Sequence, residues 1–119
     1  MIMKIQDIYM GLGSLVYAIA RADGHLHPLE NKVIRQLLEQ EPFGDVARCA
    51  FTLREFHRET AEEAYAFALR HFRANRVFMD EARKADFVSI AESIARAHND
   101  VSVNEQLLLE RLRADFNAL

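Results

Sequence analysis

A chain of 119 residues, half of them hydrophobic, can bury one core and is expected to form a single domain over residues 1–119. Four glycines and two prolines favour helices over sandwiches or barrels. Fifteen Lys and Arg against 18 Asp and Glu, with signs interspersed and a formal charge of −3, leave no basic stripe and exclude a nucleic-acid partner. The single cysteine, Cys49, fits a reducing compartment. No segment reaches the ~18 apolar residues of a membrane span, and no basic stretch followed by an apolar leader opens the chain. The expected location is cytoplasmic.

Ile5, Ile8, Leu12, Leu15, Val16 and Ile19 recur at three- and four-residue intervals, which predicts an amphipathic helix over residues 4–22. Gly11 and Gly13 lower its propensity but leave room for a close neighbour. Gly24 suits the left-handed residue that commonly ends a helix. A second helix opens at Pro28, where a missing N–H costs nothing. It turns Val33, Ile34, Leu37 and Leu38 inward and stops at Pro42-Phe43-Gly44. Val46, Cys49, Ala50, Leu53 and Phe56 have helical spacing and read as an inner face, with Cys49 a core thiol. Thr52-Leu53-Arg54-Glu55 has capping-box form, so this stretch is either one helix or two. Thr60-Ala61-Glu62-Glu63 starts the next helix, with Tyr65, Ala68, Leu69 and Phe72 on one side to about Arg73 and a loop through Asn75. A long helix over about 80–98 turns Phe87, Ile90, Ala91 and Ile94 inward, with Asp80 to Lys84 its solvated start. The last helix follows Ser102, which can cap it while Glu105 completes the box; Leu108, Leu112 and Phe116 are its inner positions. His57 and His71 fall on helices beside apolar residues, and Tyr9, Tyr17 and Tyr65 read as core or rim aromatics.

One phrase occurs twice. Ile19-Ala20-Arg21-Ala22, closing on Glu30, returns as Ile94-Ala95-Arg96-Ala97, closing on Glu105, at a constant offset of 75 residues. An apolar residue, Leu26 or Val101, holds the same place in each loop. Duplicated units pack as a pseudo-symmetric pair. The expected fold is therefore all-α, a compact bundle of five to seven helices with two pseudo-symmetric helix–loop–helix halves whose loops share one end.

Gly24 and Glu30 have the spacing of the glycine and terminal glutamate of a calcium-binding EF-hand. The remaining ligand positions would be Ile19, Arg21 and Asp23, and in the second copy Ile94, Arg96 and His98, with Asn99 for glycine. Neither loop is an EF-hand. Two incomplete loops can still compose one site. Asp23, Glu30, Asp100 and Glu105 supply carboxylates, and His25, His27 and His98 add imidazoles. Oxygen ligands suit calcium, magnesium or manganese; histidine shifts the preference toward zinc or another transition metal. A cation would relieve repulsion among the carboxylates. The same glutamates stand at the third helical position, where capping explains them without a metal, and the helix dipole there disfavours cations. His27 stands where Ser, Thr, Asp or Asn is preferred as N-cap.

The paired phrases Ile-Ala-x-Ala-Asp-Gly, an aliphatic residue and a helix-opening Glu resemble the tellurite-resistance TerB-like family over about residues 5–117. The resemblance implies an all-helical domain of two pseudo-symmetric halves. It also implies bacterial stress response, divalent-metal binding by acidic loop residues, and assembly with protein partners, including membrane-bound complexes. Carried over by position, the acidic residues are Asp23, Glu30 and Glu105. His98-Asn99 departs from the second Asp-Gly, with Asp100 one place late. The expected function is a non-enzymatic module that binds zinc, calcium or manganese through Asp23, Glu30, His98, Asp100 and Glu105. A metal-free interaction scaffold is the alternative. Metal-assisted hydrolysis ranks last, because no nucleophile or general-base arrangement is discernible.

Overall fold

A computed structural model describes residues 4–24, 26, 28–97 and 100–119. Among them are six α-helices and one 3₁₀ turn, and no strand. The helices are α1 (Gln6–Ala20), α2 (Pro28–Glu39), α3 (Gly44–Phe56), α4 (Ala61–Ala74), α5 (Glu81–Arg96) and α6 (Val103–Asn117). The short turn Arg76–Phe78 links α4 to α5.

The first helix is the axle of the fold. Every residue from Ile8 to Ala20 except Met10 is buried, the polar Ser14 included. The three-four pattern in the sequence marks only part of this surface; Tyr9, Tyr17, Ala18 and both glycines fill the rest. A helix covered on all sides must have neighbours on all sides. The glycines admit two of them. A Cβ on Gly11 would press into the Phe72 ring of α4, and one on Gly13 would overlap the Ala47 carbonyl oxygen of α3. The Ser14 hydroxyl stays satisfied by donating to the Met10 carbonyl oxygen at 3.1 Å.

Side-chain contacts fix the helix directions. Tyr17 meets Phe51 at 5.8 Å and Gly13 meets Ala47, so α3 runs parallel to α1. Gly11 meets Phe72 near the end of α4, while Ala22 and Ala61 line a common cavity, so α4 runs antiparallel. Tyr9 packs edge-on to Phe87 of α5 at 5.5 Å, and Ala22 shares its cavity with Asn104 of α6. Odd-numbered helices thus point one way and even-numbered helices the other. The loops after α1, α3 and α5 gather at one pole.

The third helix differs from its sequence reading. It is continuous through Thr52, and no second cap forms there. Its inner face is Gly44, Ala47, Ala50 and Phe51. Cys49, Leu53 and Phe56 lie in solvent, so Cys49 is not a core thiol. The chain offers two apolar faces on this helix. The fold uses the one carrying small residues, because only they admit the close approach to Gly13. The fifth helix ends at Arg96, two residues before the expected boundary.

Candidate functional site: the loop pole

Each loop at the pole is built by local capping chemistry. After α1 the chain closes with the Arg21 N–H donating to the Tyr17 carbonyl oxygen at 2.9 Å and the Gly24 N–H donating to that of Arg21 at 2.8 Å. Gly24 takes φ +92°, the left-handed geometry expected of it. Leu26 and Val101, the matched apolar residues of the two loops, both pack partly buried against the core and pin the loops down. Glu30 lies half-buried in the first turn of α2.

The second copy forms the expected capping box. The Ser102 hydroxyl accepts from the Glu105 N–H at 3.1 Å, and the Glu105 carboxylate accepts from the Ser102 N–H at 2.9 Å. Glu105 is only 7% exposed. The α3–α4 connection builds a second box at the same pole, Thr60 with Glu63, at 2.9 and 3.1 Å. Those bonds hold the Glu63 carboxyl below its ordinary range. Three helix N-termini, with Glu30, Glu62, Glu63 and Glu105 in their first turns, therefore face one end. Their dipoles favour these anions and oppose a cation.

The two copies meet at a cavity of about 240 Å³ lined by Ala22 from the first loop, Ala61 and Glu62 from α4, and Asn104, Leu107, Leu108 and Arg111 from α6. Arg111 and Glu62 close its rim at 2.8 Å, an exposed pair whose hydrogen bond raises the arginine further above its usual value. Arg111 also stands over the Tyr65 ring at 4.4 Å. The Tyr65 hydroxyl donates to Asp115 at 2.6 Å; burial first, then that carboxylate, push its pKa up. Sequence reasoning missed this third element. Thr60-Ala61-Glu62-Glu63 signalled a helix start, but nothing local showed that the start lies beside the duplicated loops.

Of the five proposed metal ligands, Asp23 and Asp100 are exposed loop residues, Glu30 is half-buried, Glu105 is engaged in its cap, and His98 lies outside the described residues. His25 and His27 lie outside them too. Among the described residues no three His, Cys, Asp or Glu side chains are grouped so as to hold an ion. Asp23, Glu30, Asp100 and Glu105 thus do not form a four-carboxylate cage by themselves. Of two further sequence candidates, His57 ends α3 in solvent at this pole, and His71 stacks on Phe67 at 4.3 Å.

Residues 10–117 match the family model described as tellurite resistance protein TerB. No curated protein and no solved structure matches the chain. No helix among the described residues is long and apolar enough to cross a membrane.

Proposed function

We propose that this chain, which belongs to the TerB family, is a non-catalytic interaction module that meets a protein partner through its loop pole. One observation carries the reading. Val103 and Leu107, one turn apart on α6, stand 75% and 58% exposed beside the cavity where the two copies meet. Large apolar side chains grouped in solvent beside a polar rim are the anatomy of a binding patch. Membership of the family supports a stress-linked assembly of the tellurite-resistance type, in the cytoplasm or on a membrane-bound complex. The cavity residues offer a single ion pair and an amide around apolar side chains, a lining suited to docking rather than to bond making.

Leu107→Asp tests this. The change leaves the core untouched, so the unfolding midpoint should stay within a few degrees while the native assembly seen by sedimentation of cell extracts falls apart. Survival of the assembly, or of tellurite tolerance in cells carrying only this variant, would sink the reading.

A second reading keeps the cation. Asp23 and Asp100 are exposed on the duplicated loops and, among the described residues, make no ion pair or hydrogen bond. Their carboxylates are thus available to zinc, calcium or manganese alongside Glu30 and the loop histidines. Calorimetric titration of metal-stripped protein with each ion decides it. Binding should vanish in the double variant Asp23→Asn, Asp100→Asn; no heat and no melting shift for any ion removes the cation.

A further inference from the structure

A cleft of about 420 Å³ lies between α5 and α6 and opens at the end of the molecule away from the loop pole, where α5 begins and α6 finishes. Its size is that of a small-molecule site. The most buried of its lining residues, Val88 of α5 and Phe116 of α6, form an apolar floor, with the exposed Ala85 above them. Behind the floor the Phe116 ring stands edge-on to Phe72 at 5.3 Å, and Phe72 packs on Phe87 at 5.8 Å. The floor is therefore backed by the aromatic core.

The two ends of the cleft differ in how their charges are matched. At the inner end Glu92 is flanked by Arg113 at 3.1 Å and by Arg96 at 3.4 Å, so two guanidinium groups answer one carboxylate. From there α5 runs back about two turns, roughly 12 Å, to Lys84, and α6, antiparallel to it, runs forward one turn to Asn117. The Lys84 side chain is only 14% exposed, yet its one ion-pair partner among the described residues is Glu81 at 3.3 Å, which stands 93% exposed. An ion pair with a carboxylate in water is worth little. The Asn117 amide makes no hydrogen bond among the described residues. The N-terminus of α5 and the C-terminus of α6 stand side by side here, so their dipoles oppose each other and the side chains set the charge. Lys84, Arg96 and Arg113 against Glu81 and Glu92 leave the cleft cationic, on a chain whose formal charge is −3.

A cationic ligand would meet this excess of positive charge, and a neutral apolar one would leave Lys84 and Asn117 unanswered. We propose that the cleft binds a small amphipathic carboxylate. The ligand's carboxylate accepts from the Lys84 ammonium and the Asn117 amide. Its hydrocarbon body lies along Ala85 and Val88 over Phe116 and stops short of the Glu92–Arg113 pair. Glu81 yields its place on the ammonium, because an exposed glutamate loses little by returning to water. This site is separate from the surface proposed for the protein partner and does not depend on it.

The probe is sodium octanoate, titrated into the isotope-labelled full chain and followed by amide nitrogen–proton correlation spectra. Saturable shifts should appear at Ala85, Val88 and Asn117. Octylammonium and octanol, which carry the same body with a cationic or neutral head, should bind at least about tenfold more weakly, the loss expected when a hydrogen bond between charged groups is missing. Lys84→Met keeps most of the apolar stem and should cause a loss of the same size. Glu81→Gln acts in the opposite direction. It removes the competing carboxylate from an exposed position, so it should leave the unfolding midpoint in place and tighten octanoate about twofold, the scale of an exposed ion pair. Ala85→Trp fills the cleft from an exposed position and should abolish the shifts, whereas Leu107→Asp, at the loop pole, should leave them unchanged. The proposal is overturned if octanoate gives no saturable shifts or if octanol or octylammonium binds as well. Octanoate binding that survives Lys84→Met or Ala85→Trp undiminished overturns it too, as do shifts centred on the loop pole.

Discussion

The 75-residue offset pairs α1 with α5, and the two helices have separate structural roles. Ile19 and Ala20 correspond to Ile94 and Ala95, and all four are buried. Toward the other end the correspondence breaks: Gly11 and Gly13 stand where α5 has Asp86 and Val88. The first helix is enclosed by its neighbours, whereas the fifth buries one face, formed by Phe87, Ile90, Ala91, Ile94 and Ala95. A duplicated unit can keep its loop motif while one copy becomes the axle, provided that copy loses side chains where neighbours press closest. Exchanging residues between the copies tests this most severely. Gly13→Val forces a Cβ into the Ala47 carbonyl oxygen and should cost about 3 kcal/mol, the upper end of overpacking. Val88→Gly, the reciprocal change on the half-buried face, should cost about 1 kcal/mol, a few tenths through helix propensity and the rest through lost partial burial. Urea titrations of both variants measure the asymmetry; equal losses would show that the axle is not tightly enclosed.

Asp86, which replaces the glycine, creates a feature that the first copy lacks. It hydrogen-bonds the Glu41 carboxyl in the α2–α3 turn, and desolvation first, then this bond and repulsion, push Glu41 up to about 7. Around them Tyr9 packs between Phe43 at 5.3 Å and Phe87 at 5.5 Å, with Arg83 beside its hydroxyl. The folded chain therefore holds a proton that the unfolded chain, with an ordinary value of 4.5, releases earlier. Stability from this pair is full below the unfolded value and falls as pH rises from about 4.5 to about 7. Glu41→Gln keeps a neutral partner for Asp86. It should flatten that part of the melting profile and leave the variant more stable than the parent above neutrality. Parallel profiles would mean that the two carboxyls do not share a proton.

Helix positions and capping residues were legible because they are local. Pro28, Thr60, Ser102 and Gly24 each act within four residues of themselves, and each does what its type predicts. The shared pole followed from the repeat. The orientation of α3 did not, because Val46, Cys49, Leu53 and Phe56 carry more hydrophobicity than the face that is buried. What selects the inner face is the fit of Ala47 and Ala50 against Gly13, a contact across more than thirty residues. The same limit applies to the site. The sequence placed acidic residues on both loops and gave Glu105 its capping box with Ser102, but could not show that α4 would begin beside them.

The smallest effects bear on what Glu105 does at the pole, where it has a complete capping box with Ser102. If capping is the work of Glu105, Ser102→Ala should cost about 1 kcal/mol through the lost bond to the Glu105 N–H. Glu105→Gln should cost only a few tenths, because glutamine closes the same box and loses only its charge at the helix dipole. Neither loss should change when zinc is added. A metal ligand behaves in the opposite way. Glutamine is a far poorer zinc ligand than a carboxylate, so Glu105→Gln would lose whatever stability the added ion confers, while Ser102→Ala would largely keep it. Thermal melts of the two variants, with and without zinc, separate a residue that closes a helix from one that holds an ion.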